Sequence, residues 1–275
     1  MRDVQLATAV LAAEDMYATQ GAAAIEPALD ARISSEWELR GYITGVDAIF
    51  RRFGKFALGD RRVFYGLVLE SKCLPGDFAA IVRGTSSWVE WVEDAEGLPE
   101  RGRLPGRTEA GFTGIYDTFQ FRAPGGADAP LGPALTALAS RATLAVAGHS
   151  LGSALATYLA HDAALALPGR ITLRVWASPH AGDSEFVRAV ATAIPDHIHY
   201  RNPKDIVPKV PIALGYEHLP KTVDLGPSTE TLEIKSDFGC SHHLLSYIAL
   251  MDESALDAAT ADIDKPCLQC IIRHA

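Results

Sequence analysis

The stretch Thr143-Leu-Ala-Val-Ala-Gly-His-Ser-Leu-Gly152 constrains this chain more than any other. An apolar run of strand character meets Gly148-His149-Ser150-Leu151-Gly152, and Ser153-Ala-Leu-Ala-Thr-Tyr-Leu-Ala-His161 continues with the small-residue pattern of a helix. The three pieces predict strand, sharp turn, helix. A serine at such a turn is held in a strained backbone conformation that exposes its hydroxyl, and glycines two residues to either side remove side chains that would collide with the adjoining strand and helix. Ser150 is therefore the candidate nucleophile. The pentapeptide alone is a weak signal; the strand before it and the helix after it supply the specificity. The start of that helix also presents a dipole suited to stabilising negative charge.

Composition limits what surrounds this turn. With 275 residues, 48% of them hydrophobic, and a mean hydropathy of +0.08, the chain can bury a substantial core and is expected to form one domain over residues 1–275. A net charge of -9 argues against binding nucleic-acid backbone and against strong attraction to anionic membranes, and leaves neutral substrates unpenalised. No apolar stretch reaches the length of a membrane span. The N-terminal apolar run lies between Arg2-Asp3 and Glu14-Asp15 and makes a poor signal peptide. Leu6, Val10, Ala13 and Tyr17 fall on one helical face, so Val4 to Thr19 is predicted to be the first helix. On this reading the location is cytoplasmic for the sequence as given, or extracellular if it is a mature form.

The four cysteines, Cys73, Cys240, Cys267 and Cys270, are too few for a disulfide framework and are not spaced as a zinc site. Cys267-Leu-Gln-Cys270 has redox spacing but follows Pro266 near the C-terminal end, away from any βαβ unit, so a structural tail disulfide is expected instead.

Elsewhere, Arg62 to Glu70 and Asp77 to Arg83 read as adjacent strands around Leu74-Pro-Gly76. Trp88 to Asp94 has helical apolar spacing, Glu109 to Phe119 and Ala134 to Ser140 read as helices, Ile171 to Ala177 as a strand, Asp183 to Ile194 as a helix and His197 to Arg201 as a strand. Strands alternating with helices imply a mostly parallel sheet covered on both faces, with ligands bound beyond the strand C-termini. Thr85, Ser150 and Asp205 all sit at such ends.

A serine hydroxyl needs a histidine to take its proton, and that imidazole needs a carboxylate to fix its tautomer. The chain order serine, acid, histidine expected for an elbow serine leaves His218, His242, His243 and His274 as bases. Asp205 directly follows a strand and is pinned by Ile206-Val207-Pro208, whereas Asp162, Asp183, Asp196 and Asp224 fall on helices or ordinary loops, so Asp205 is the strongest acid candidate. His242 and His243 follow Asp237-Phe-Gly-Cys-Ser241 and begin a helical pattern.

From about Phe64 to Leu250 the chain resembles the class 3 lipases of the α/β-hydrolases. The matching segments are Val82-Arg-Gly-Thr-Ser-Ser87 with Trp91 and Asp94, Ala110-Gly-Phe112, Gly148 to Gly152, Ala177-Ser-Pro179, Asp205-Ile-Val-Pro208 and Cys240-Ser-His-His-Leu-Leu-Ser-Tyr247. The resemblance implies an α/β-hydrolase fold, with a short lid helix after the oxyanion strand. It also implies Ser150 as nucleophile, Asp205 as acid, and an oxyanion hole from the backbone N–H groups of Leu151 and Thr85, with the Thr85 hydroxyl as a third donor. In bacterial and plant members the catalytic histidine lies five residues before a tyrosine, which selects His242; fungal members use a shorter spacing. The chain departs from the pattern at Ser153, where a second glycine is usual, and after Asp94, where it turns acidic and rich in proline and glycine.

The implied activity is hydrolysis of carboxylic esters, foremost lipid esters, through an acyl-enzyme, with contact to a lipid interface. Esterases for soluble or aryl esters and acyltransferases use the same triad. No metal or organic cofactor is required by this chemistry. In the segment Trp88 to Ala95, Trp88, Val89, Trp91 and Val92 share one helical arc opposite Glu90, Glu93 and Asp94. The resembling lipases carry their lid here, which assigns Trp88 and Val89 to an acyl-binding surface.

Overall fold

A computed structural model describes residues 3–51, 55–85, 99–210, 215–226, 232–260 and 269–273. Its spine is a nine-stranded sheet. In chain order its first strands are β1 (Trp37–Arg51), β2 (Lys55–Ser71) and β3 (Asp77–Val82). After the short strands β4 (Pro99–Glu100) and β5 (Thr108–Glu109) come β6 (Gln120–Arg122), β7 (Asp128–Pro130), β8 (Thr143–His149) and β9 (Ile171–Trp176). The short β10 (Gly182–Asp183) precedes β11 (His197–Arg201), and β12 (Tyr216–Glu217) precedes β13 (Thr222–Asp224). The sheet order is β13-β11-β9-β8-β3-β2-β1-β6-β7, and β4, β5, β10 and β12 make a separate small sheet. The half from β3 to β13 is parallel, and β1, β2, β6 and β7 continue it antiparallel.

The parallel half explains the sequence pattern around Ser150. A strand flanked by partners and covered on both faces reads as a continuous apolar run, and β8 is paired to β3 on one side and β9 on the other. Its side chains divide with the period of the pleat. Leu144 and Val146 enter a core with the helices Ala110–Tyr116, Leu131–Leu138, Leu151–Ala166 and Ser184–Ala193. Ala145 and Ala147 enter the opposite core with the helices Asp3–Gln20 and Leu244–Met251. Small residues on that face let the first helix lie close: Ala7, Ala9, Ala12 and Ala13 are all buried there with Leu6, Val10, Leu11 and Met16.

Several elements differ from the expectation. The fifteen-residue β1 has no strand pattern because its apolar alternation is broken by glycines and charges. Gly41 lies under the Phe121 ring and Gly45 between Phe119 and Tyr65, so aromatic neighbours occupy the volume that a side chain would take. Arg40 meets Glu38 and Glu70 at the outer face. The helix expected at 134–140 starts earlier, at Leu131. His242 ends the short helix Phe238–His242, and His243 is the N-cap of the next, its Nδ1 accepting from the Leu245 N–H. Asp224 ends β13 rather than lying in a loop.

The disulfide expected within the tail is not the one formed: Cys270 pairs with Cys240, thirty residues earlier, rather than with Cys267, which lies outside the described residues. The C-terminal strand β15 (Ile271–Arg273), paired to β14 (Leu232–Ile234), is thereby tied to the helix that ends in His242.

Candidate active site

Ser150 has φ 56 and ψ -131, in the left-handed half of the map where non-glycine residues are uncommon. The strain is enforced by packing. A Cβ on Gly148 would run into the Gly152 carbonyl, and one on Gly152 into the Arg83 carbonyl. The turn closes only with glycine at both positions. Ser153 suits its place: its hydroxyl contacts the carbonyls of Gly148 and Trp176, each at 2.8 Å, and so binds the end of the elbow to β9.

Two segments far away in sequence bring polar groups to Ser150. His242 Nε2 lies 2.9 Å from Ser150 Oγ, and His242 Nδ1 lies 2.8 Å from Asp205 Oδ2. With Nδ1 donating to the carboxylate, Nε2 is left to accept the serine proton. All three side chains are buried, with Ser150 1%, Asp205 1% and His242 3% exposed, so their hydrogen bonds act in low dielectric. Burial pushes the His242 imidazole below its ordinary pKa against the pull of Asp205. This favours its neutral form, with Nε2 free to accept.

Asp205 is fixed on every side. Its Oδ1 accepts from the Val207 N–H at 2.9 Å, and its Oδ2 also accepts from the Tyr247 hydroxyl at 2.7 Å. Tyr247 in turn accepts from the Asn202 N–H at 3.1 Å, and Asn202 Nδ2 donates to the Ser241 carbonyl at 2.9 Å. The loop after β11 and the helix ending in His242 are thus hydrogen-bonded to each other through Asp205 and Asn202.

The end of β3 supplies the facing wall. A Cβ on Gly84 would lie 3.3 Å from the Ser150 Cβ, which places the Gly84 backbone against Ser150. Arg83 holds it there. Its guanidinium donates to the carbonyls of Phe64 at 2.8 Å and Gly84 at 2.7 Å and lies 3.4 Å over the Tyr17 ring. Leu151 occupies the first position of its helix, where a backbone N–H has no acceptor within the helix. A cavity of about 250 Å³ opens onto this wall, bounded by Leu11, Glu14, Tyr17, Thr85, His242 and Leu244.

Of the histidines left open by chain order, the structure brings His242 to Ser150. His243 caps the following helix, and His218 packs against His180 and His199, with ring centroids 4.2 and 5.1 Å away. Burial pushes His218 down to about 4, with the neighbouring His180 adding to the effect. His274, and the lid and acyl-binding assignments of Trp88 and Val89, lie outside the described residues. Among the described residues no group of histidine, cysteine and carboxylate side chains is arranged to hold a metal.

Sequence reasoning missed Glu14, His149, Asn202 and the role of Tyr247. Glu14 Oε1 lies 2.8 Å from His149 Nδ1 and accepts from the Gly84 N–H at 3.0 Å, while His149 Nε2 lies 2.9 Å from the His242 carbonyl oxygen. No local motif marks a pair 135 residues apart. Tyr247 served only as a spacing marker, although a hydroxyl five residues after His242 was the available signal for its contact with Asp205.

The family described as Lipase (class 3) matches residues 79–215. Phospholipase A1-Ialpha2, chloroplastic, of Arabidopsis thaliana is 26% identical, the match covering 69% of this chain and 47% of that protein. Phospholipase A1-II 3 of Oryza sativa subsp. japonica is 29% identical, covering 49% and 38%. The chain therefore spans less than half the length of these two relatives. Among solved structures, M37 lipase superposes with a TM-score of 0.64 at 15% identity, covering 96% of this chain and 94% of that one. The Rhizomucor miehei lipase propeptide complex gives 0.54 at 19%, covering 78% and 64%. At these identities the likeness is one of fold.

Proposed function

Because residues 79–215 belong to the class 3 lipase family, on an α/β-hydrolase fold, we propose that the protein hydrolyses lipid carboxylic esters with Ser150, His242 and Asp205 as its triad. The observation that carries this reading is the buried line of hydrogen bonds from Ser150 Oγ through His242 to Asp205, 2.9 and 2.8 Å long, at a serine held with positive φ. Each member then has one task. Ser150 Oγ attacks the ester carbonyl carbon as its proton passes to His242 Nε2. The carbonyl electron pair moves onto oxygen, where the Leu151 and Thr85 backbone N–H groups and the Thr85 hydroxyl stabilise the charge. Asp205 stabilises the imidazolium without taking its proton. As the tetrahedral species collapses, the alkoxide leaves with the proton from His242, and an acyl-Ser150 ester remains. Water, deprotonated by His242, repeats the sequence and releases the acid.

The substrate class is an ester of glycerol with an uncharged or zwitterionic remainder. Support comes from the relatives, named phospholipases A1, and from the net charge of -9, which disfavours anionic head groups at low salt. Trp88 and Val89 belong to this proposal as the apolar face of a lid, on the sequence pattern of residues 88–95 alone. Initial rates on p-nitrophenyl esters from acetate to palmitate test it, measured below and above the point at which each ester forms an interface. We expect longer esters to be preferred, with a rise when the interface forms, and Trp88→Ser to reduce that rise more than it reduces acetate turnover. Simple saturation through the solubility limit, unaffected by Trp88→Ser, would instead support an esterase for soluble substrates.

A further inference from the structure

Glu14 and His149 take no part in the chemistry above, yet between them they touch the end of β3, the elbow and the loop of the catalytic histidine. Glu14 Oε1 accepts from the Gly84 N–H at 3.0 Å and lies 2.8 Å from His149 Nδ1; His149 Nε2 lies 2.9 Å from the His242 carbonyl oxygen. A carbonyl oxygen only accepts, so Nε2 carries a proton. The contact between Nδ1 and Oε1 needs another, which the carboxylate or the imidazole must supply. The pair therefore holds two protons. It is an imidazolium beside a carboxylate, or a neutral imidazole beside a carboxylic acid.

The surroundings decide between these forms. From the first helix Glu14 faces His149, with Asp15 beyond it already paired to Arg32. From the catalytic loop come His242, its ring centroid 4.8 Å from that of His149, and His243; from the helix after it comes Tyr247 at 6.1 Å; from the loop after β11 comes Asp205. Burial alone would push His149 down, but the charge and hydrogen bond of Glu14, with smaller help from the His242 carbonyl and Asp205, raise it above the ordinary histidine value. Burial alone would likewise raise Glu14, and His149 holds it below the usual carboxylate range. Both directions favour the imidazolium and carboxylate.

We propose that Glu14 and His149 form a positioning pair for the catalytic histidine, anchoring the His242 main chain and the Gly84 peptide to the elbow and holding an imidazolium against the face of the His242 ring. This rests on the triad reading above. The fixed positive charge opposes protonation of His242, adding to the effect of burial and against Asp205 and Glu14. The catalytic imidazole then stays a proton acceptor to lower pH than an isolated histidine would. A purely structural ion pair at the same place would contribute rigidity and leave that pH dependence alone.

The test uses the full chain, p-nitrophenyl acetate and three variants. In His149→Gln, which keeps a donor towards the His242 carbonyl but removes the charge, we expect the acid limb of kcat/KM to move up by about half a pH unit or more, with kcat falling more than KM rises. In Glu14→Gln the limb should move the same way by less, since Glu14's opposing charge goes too. Histidine C–H resonances, titrated by NMR, give a readout independent of turnover. His149 should lose its proton above the ordinary histidine value in the unaltered protein and below that value in Glu14→Gln, where burial is no longer opposed by the carboxylate. A His149→Gln protein that loses thermal stability but keeps the acid limb in place overturns the proposal. So does a His149 that titrates below about 6.5 in the unaltered protein, a result available even if His149→Gln does not fold. Ser150→Ala in the same assay separates the two levels: retained activity there refutes the triad, whereas a dead Ser150→Ala with an unshifted His149→Gln refutes the pair alone.

Discussion

Two adjacent histidines, His242 and His243, show at the scale of single residues how backbone geometry sends neighbouring side chains to different partners. His242 is the last residue of one short helix and His243 the N-cap of the next, so their side chains leave the chain in different directions and one alone reaches both Ser150 and Asp205. We expect His242→Ala to cost as much activity as Ser150→Ala, because members of a triad act as a unit. His243→Ala should cost about 1 kcal/mol of stability through the lost cap and little turnover. Denaturant melts and steady-state rates check both; the reverse pattern would assign the base to the wrong imidazole. Thr85→Val poses a narrower question. It keeps the backbone N–H and removes the hydroxyl, and a roughly 10- to 1000-fold fall in kcat with unchanged stability is expected if that hydroxyl meets the oxyanion. An unchanged kcat would leave backbone donors alone in that role.

Elements were legible in the sequence to the extent that their constraints are local. The elbow could be read because Gly148 and Gly152 are demanded by contacts within the turn and its immediate neighbours. The first helix could be read from its periodicity, although its burial over more than one face depends on the sheet and the C-terminal helix between which it packs. β1 could not be read: its glycines make sense only once Phe119, Phe121 and Tyr65 are in place. Nor could the partner of Cys270, because the distance across space that joins it to Cys240 leaves no trace in spacing. That disulfide ties the C-terminal strand to a helix two residues before His242. Closing a loop of about thirty residues is worth roughly 3 to 4 kcal/mol in the chain-entropy account. Cys270→Ser, or reduction of the intact protein, should lower the thermal midpoint and reduce kcat more than it raises KM. Unchanged kcat and midpoint would mean that the helix ending in His242 holds its place without the bridge.

Across the whole molecule, the fold assembles the proposed triad from segments that are far apart in sequence. β3, β8 and β11 are parallel strands with two cores packed on opposite faces, and their C-terminal ends deliver Thr85, Ser150 and Asp205 to one edge of the sheet. The last helices return His242 to the same edge, and Tyr247 and Asn202 lock that return. Ser150 and Asp205 stood out in the sequence because each follows a strand, and His242 was selected by its spacing to Tyr247; the structure brings the three into contact. Glu14, His149 and Asn202 were not, since their partners come from other elements. The account depends on Ser150 being a serine activated by His242. Its most direct test is a serine-directed phosphonate, which reacts only with such a group, followed by peptide mapping. Labelling at Ser150 alone, absent in Ser150→Ala and strongly slowed in His242→Ala, is the predicted result; labelling at any other serine, or undiminished ester hydrolysis by Ser150→Ala, would contradict it.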